Sequence, residues 1–190
     1  WTFRKAPKFF DVVTYTGNGV AGREIAHNLG SVPGVIITKK LNAAENWVVY
    51  HRSNGAGKML YLNGTNATLN STAVYPTTPT DSVFYVGDDS AVNGTSSDTY
   101  VAYVFAHDTD ASSMIKCGSY TGLTSEVSVD LGWTPQFLLI KDSTKAGSWI
   151  MLDTERSMTD ANQYFLKADE DTSENTAQTT YPRPTATGFS

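Results

Sequence analysis

The chain has a single cysteine, Cys117, in 190 residues, so no internal disulfide can staple the fold. A lone thiol of this kind is expected as a small buried apolar residue, not as a nucleophile. Long apolar runs are missing too. Gly34-Val-Ile-Ile37 and Phe137-Leu-Leu-Ile140 run to about four residues and Tyr100–Ala106 to seven, against about twenty needed to cross a bilayer, so no membrane insertion is expected. The amino end, Trp1-Thr-Phe-Arg-Lys-Ala-Pro-Lys8, carries no apolar run after its charges and does not read as a signal peptide. Charge is sparse at 17% of residues, and 14 Lys and Arg against 19 Asp and Glu leave a net charge of −5. A non-specific nucleic-acid binder needs a basic surface that displaces counterions, so nucleic acid is not an expected partner.

What is plentiful is Thr (25), Ser (17), Gly (15) and Asn (11). These are residues of strand surfaces and turns, not of helices, and they predict an all-β protein. The sequence also repeats itself. Tyr15-Thr16-Gly17 returns as Tyr120-Thr121-Gly122, and Leu29-Gly30-Ser-Val-Pro33-Gly-Val-Ile-Ile37 as Leu131-Gly132-Trp-Thr-Pro135-Gln-Phe-Leu-Leu139. Trp47-Val-Val-Tyr50 is matched by Trp149-Ile-Met-Leu152, Leu62 by Leu166, Tyr75-Pro76 by Tyr181-Pro182, and Phe84 by Phe189. The offset stays between 102 and 106, and a sustained period of this kind marks a repeated structural unit.

Each block has a physical reading. Leu-Gly-x-x-Pro is a turn, since Gly permits positive φ and Pro fixes φ while removing a donor. The apolar run after it reads as a strand buried on both faces. A polar loop follows, Leu41–Asn46 or Asp142–Ser148, then a strand opened by Trp47 or Trp149, which makes each pair a β-hairpin with its Trp as a core anchor. Further strands are expected at Val12–Tyr15, Arg23–His27, Lys58–Leu62, Ser82–Val86 and Thr99–Ala106, the last being rich in aromatic and β-branched residues. Ser157–Lys167 is the one stretch expected to hold a short helical turn. Asn63–Thr80, with Pro76 and Pro79, reads as a polar surface excursion.

The predicted architecture is two tandem antiparallel β-sandwich, jelly-roll-like repeats. Residues 1–8 form an N-terminal linker, 9–108 the first repeat, 109–113 a linker and 114–190 a second repeat that is incomplete. The second copy has no counterpart of Thr99–Ala106, so the expectation is a fragment cut inside its second repeat or a gap filled by a partner's strand.

Catalytic constellations are not evident. Three histidines, His27, His51 and His107, have no Gly-x-Ser-x-Gly elbow and no metal-ligand spacing around them. Glycan cleavage needs two carboxyl groups roughly 5 to 9.5 Å apart. Glu24 and Glu126 fall one in each copy, whereas Asp153 and Glu155 would share one strand face about 7 Å apart. That pair is the basis of an alternative reading as a glycan depolymerase. Asp108-Thr-Asp110 and Asp169-Glu-Asp171 offer hard oxygen ligands for calcium without a twelve-residue calcium loop, so no catalytic residue, resident metal or cofactor is assigned. Asn63-Gly-Thr65, Asn66-Ala-Thr68, Asn70-Ser-Thr72 and Asn93-Gly-Thr95 fit glycosylation acceptors and mark polar loops.

Tyr15-Thr-Gly-Asn-Gly19, Ile25-Ala-His-Asn-Leu-Gly-Ser-Val-Pro-Gly34, Trp47-Val-Val-Tyr-His-Arg-Ser53 and Tyr100-Val-Ala-Tyr-Val-Phe-Ala106, with Gly118-Ser-Tyr-Thr-Gly122 and Asp130-Leu-Gly-Trp-Thr-Pro135 in the second copy, resemble a tandem domain of tail-fibre-like and other virion structural proteins of marine and cyanobacterial phages. The resemblance spans about residues 9 to 190 and carries no catalytic motif. It implies a concanavalin-like or jelly-roll sandwich in a virion appendage. It also implies contacts with other virion proteins and with a host surface glycan or receptor, and assembly as a homotrimer. Loops, not strands, carry contacts in such scaffolds. The expected contact residues are therefore Asn42, Glu45 and Asn46 at one hairpin tip and Lys145 and Ser148 at the other. A purely structural spacer or decoration domain is the remaining alternative.

Overall fold

The computed structural model describes residues 2–110, 112–156, 158, 163–178 and 181–190. The protein is nearly all β, with every strand pair antiparallel. It divides into two compact units, Trp1–Gly118 with Ser143–Lys145, and Ser119–Asp142 with Ala146–Ser190.

In the first unit the strands are β1 (Phe10–Thr16), β2 (Arg23–Ala26), β3 (Pro33–Lys40), β4 (Val48–His51), β5 (Lys58–Tyr61), β6 (Leu69–Asn70), β7 (Val83–Val86) and β8 (Thr99–Ala106), with one helical turn, α1 (Ser90–Asn93), before β8. Asp89 caps that turn by accepting the Ala91 N–H. Six strands form one sheet in the order β1-β8-β3-β4-β5-β6, and β2 pairs with β7 in a second. Alternation along the strands sends one set of side chains inward. Ile36, Val48, Tyr50, Ala102 and Val104 from the large sheet meet Ile25, Phe84 and Val86 from the small one, and Leu29 and Val92 close the same core. This face-to-face arrangement is consistent with a β-sandwich. Strand β3, an apolar run, is buried over almost its whole length because β8 and β4 flank it on both sides.

The second unit holds β9 (Val129–Asp130), β10 (Phe137–Ile140), β11 (Ile150–Asp153), β12 (Gln163–Lys167), β13 (Asn175–Gln178) and β14 (Gly188–Phe189), with a 3₁₀ turn at Thr154–Arg156. Its sheets run β10-β11-β12-β13 and β14-β9. Leu138, Leu152, Met158, Phe165 and Phe189 make its core.

Several expectations are corrected. The helical turn expected within Ser157–Lys167 is not there for Gln163–Lys167, which is β12, and residues 157 and 159–162 lie outside the described residues. Strand β10 is not buried on both faces: Leu139 is 37% exposed, and among the described residues β10 ends its sheet with β11 beside it. Trp149 is buried as expected, but Trp47 is only half-buried and stacks on Tyr103 with ring centroids 6.2 Å apart. The stretch Asn63–Thr80 is not merely a surface excursion. Val74 and Tyr75 turn back into the core at 1% exposure each, where the Tyr75 hydroxyl donates to Thr38 Oγ1 at 2.8 Å. Burial pushes that phenol well above its ordinary pKa.

Candidate functional site

The loop joining β3 to β4 is tied down by its own polar side chains. Asn42 donates from Nδ2 to the Ser97 carbonyl at 2.9 Å and accepts the Thr99 N–H at 3.2 Å. The Glu45 carboxylate accepts from Ser90 Oγ at 3.0 Å, while its carbonyl accepts from Lys39 Nζ. Asn46 Oδ1 accepts from Asn63 Nδ2 at 3.0 Å, and Asn63 Oδ1 accepts the Trp47 N–H at 2.9 Å. Beside this tip lies an ion pair, Lys40 to Asp98 at 2.9 Å, with side-chain exposures of 9% and 14%. The Asp98 partner raises the Lys40 pKa, and Lys40 holds that of Asp98 low. Asn42, Glu45 and Asn46 thus share one loop but spend their hydrogen-bonding groups on three different anchors.

The other expected tip is built from comparable parts. Ser148 Oγ donates to Glu170 Oε1 at 3.1 Å, which also receives Lys167 Nζ at 2.7 Å, and Glu170 Oε2 accepts from Thr172 Oγ1. Asp169 Oδ1 accepts the Trp149 N–H at 2.7 Å. Lys145 is exposed and groups with the first unit, whereas Ser148 groups with the second.

A row of aromatic rings crosses the outer face of the large sheet, and the sequence reading missed it. Phe10 on β1 stacks at 6.4 Å on Tyr103 of β8, which stacks in turn on Trp47. Phe3, 39% exposed, meets Phe105 edge-on at 5.6 Å. Its signal was available in the alternation of Tyr103 and Phe105 with the inward-facing Ala102 and Val104. Recognising it required knowing that β1 pairs with β8, which places Phe10 opposite Phe105.

The residues weighed for chemistry are dispersed. Asp153 is buried and accepts the Arg156 N–H at 3.0 Å while pairing with the Arg156 guanidinium. Glu155 is exposed on the 3₁₀ turn, so the two carboxylates do not alternate along one strand face; the turn begins at Thr154 and redirects the chain. Glu24 and Glu126 are both exposed. His27 is buried, with Nδ1 accepting the Leu29 N–H at 3.3 Å, and burial lowers its pKa. Burial pushes the Cys117 thiol up to about 12, which removes thiolate character at neutral pH. Asp110 pairs with Lys8 at 2.9 Å. Among the described residues no three His, Cys, Asp or Glu side chains converge as metal ligands. The Asn93-Gly-Thr95 triplet is not a surface acceptor. Asn93 is fully buried, donating to the Val20 and Gly87 carbonyls and accepting from the Asn18 N–H and Arg23. A shallow cavity of about 240 Å³ is bounded by Lys5, Ala6, Pro7, Phe10, Asp11 and Asn28. The buried Asp11 carboxylate there is already paired with Lys5 and with the Val12 and Asn28 N–H groups.

The fold and these loops define a nearly all-β protein whose polar side chains mainly brace its own turns. Residues 6–189 match the family described as a domain of unknown function, DUF7483, and the chain belongs to that family. No curated protein and no solved structure matches it.

Proposed function

We propose that this protein is a non-enzymatic phage virion component: a tandem β-sandwich module of a tail fibre or related appendage that attaches to a host surface glycan or receptor, or joins neighbouring virion proteins. The tandem reading is carried by one observation: the same backbone devices recur in both units and in the same order. Gly30 and Gly132 take positive φ at equivalent turn positions. The Arg52 N–H donates to the Gly34 carbonyl, as the Thr154 N–H donates to that of Gln136. Leu62 N–H bonds the Trp47 carbonyl and Ala168 N–H that of Trp149, while the side chains of Asn63 and Asp169 accept the two Trp N–H groups. Thr80 N–H reaches the Val83 carbonyl, as Thr185 N–H reaches that of Gly188. These equivalences carry offsets of 102, 102, 106 and 105, inside the window read from the sequence. They pair Leu62 with Ala168 and not with Leu166, which moves that landmark by two residues.

The virion reading rests on the resemblance of the quoted segments to tail-fibre-like proteins. Tips held by their own hydrogen bonds lose little freedom on docking, which favours a contact role for them. The depolymerase alternative gains nothing from Asp153, whose carboxylate is committed to Arg156. Light scattering combined with a glycan array tests the proposal. A trimeric mass that holds on dilution, with saturable retention on host-type glycans, is the expected result. A monomer that no glycan retains would overturn the adhesin role and leave a spacer. Release of new reducing ends from the bound polysaccharide would establish the depolymerase instead.

A further inference from the structure

Two imidazoles stand at the end of the large sheet where the chain returns to it at Cys117. His107 follows β8 directly, and its Nδ1 accepts the Cys117 N–H at 3.1 Å. His51 ends β4, and its Nδ1 accepts the Ser53 N–H at 3.2 Å. Both rings use Nδ1 as the acceptor, so both are neutral with the proton on Nε2. Cys117 is seated on bare backbone. A Cβ on Gly34 of β3 would fall 2.7 Å from Cys117 Cβ, 2.8 Å from its Sγ and 2.9 Å from His107 Cβ. Cys117 Sγ completes the seat by donating to the Ala106 carbonyl at 3.3 Å.

We propose that the His107 hydrogen bond to Cys117 is an acid-sensitive latch, which releases Cys117 from its seat over Gly34 when the His107 and His51 rings take up protons.

A protonated ring turns Nδ1 from acceptor into donor, so it then faces the Cys117 N–H with a second N–H and the bond is lost. The surroundings add to the effect. The charged groups facing His107 are Arg52 from the end of β4, Lys116 beside Cys117, and Asp108 next to it in the chain. Those facing His51 are Arg52 and His107 itself. One carboxylate stands against two permanent cations and a second imidazole, so each new positive charge is poorly compensated. The released form binds protons more readily than the latched form, which makes release favourable as pH falls and unfavourable as it rises. The second unit begins at Ser119, so the latch holds the chain where it first leaves the first unit.

Cys117 is the one thiol of the chain and reports on its own seat. Labelling by 4,4′-dithiodipyridine is measured at about pH 7.5 and about pH 5.5, each rate divided by that of the denatured chain at the same pH, since imidazole titrates within this interval. We expect the normalised rate to rise about tenfold or more at the lower pH, with the far-UV circular dichroism unchanged. His107→Gln supplies an acceptor that does not titrate, and is expected to keep Cys117 protected at both values. A wild-type rate that does not change with pH would overturn the latch, as would a rise in His107→Gln equal to that of wild type. A rise accompanied by loss of the β-sheet signal also overturns it, because the thiol would then be reporting global unfolding. Should His107→Gln not fold, His51→Gln replaces it, with a smaller rise than wild type expected and an undiminished rise counting against the proposal.

Discussion

Single side chains in this protein do more bracing than exposure on a β surface would require. Asn93 is the clearest case, because one amide joins the turn before β2, the strand end at Gly87 and the loop at Asn18. Asn93→Ala takes the side-chain partner from two carbonyls and one N–H, and the Gly87 carbonyl among them is buried. It is expected to cost about 2–4 kcal/mol, at roughly 1–3 kcal/mol for each unsatisfied group with some relaxation, measured as a shift in the urea midpoint. Nothing in Asn-Gly-Thr announces this, since the same triplet at Asn63 serves a loop. Tyr75 was equally hidden: its neighbours Ser71, Thr72, Pro76 and Thr77 are polar or turn-forming, and its burial is tolerated because Thr38 and the Val48 carbonyl meet its hydroxyl. Cys117, by contrast, was legible, because an isolated thiol with no partner motif is buried far more often than reactive.

At the scale of the strands, reading by alternation and apolar runs located β3, β4, β8 and β11 within a residue or two. It could not say which of them would be flanked. Phe137-Leu-Leu-Ile140 looks as fully buried as Gly34-Val-Ile-Ile37, yet burial on both faces comes from neighbours and not from the run itself. The same holds for the contact tips: Asn42, Glu45 and Asn46 were found as loop residues, while their use as anchors depends on Ser97, Ser90 and Asn63, far away in sequence. The start of each Trp strand offers a matched test. Asn63→Ala and Asp169→Ala each remove the acceptor of a Trp N–H. Each is expected to lower stability by about 1 kcal/mol, as for a typical lost hydrogen bond. Asp169→Asn, which keeps the acceptor, is expected to recover most of that loss in thermal denaturation. Unequal Ala effects differing several-fold would argue against equivalent roles in the two units.

For the molecule as a whole, all three histidines have pKa values lowered from 6.5, with burial the largest cause in each. A depressed folded pKa means that the unfolded chain binds protons first. The stability these groups contribute is fully present above about pH 6.5 and is lost as pH falls through their folded values. The urea midpoint is therefore expected to fall between neutral and mildly acidic pH, and His27→Gln to flatten part of that slope. A midpoint independent of pH across this range would contradict the burial of the rings. The order of assembly follows from the topology of the large sheet. Among the described residues strand β1 has β8 as its one strand partner, with Phe10 opposite Phe105, so the first strand of this sheet must wait for the last. During synthesis β1 therefore emerges long before it has anything to bond, while the β3–β4 hairpin closes locally. Sequence-distant pairing of this kind places the first unit among slow-folding, high-contact-order proteins, with closure in milliseconds to seconds and a nascent chain that needs protection in the interval.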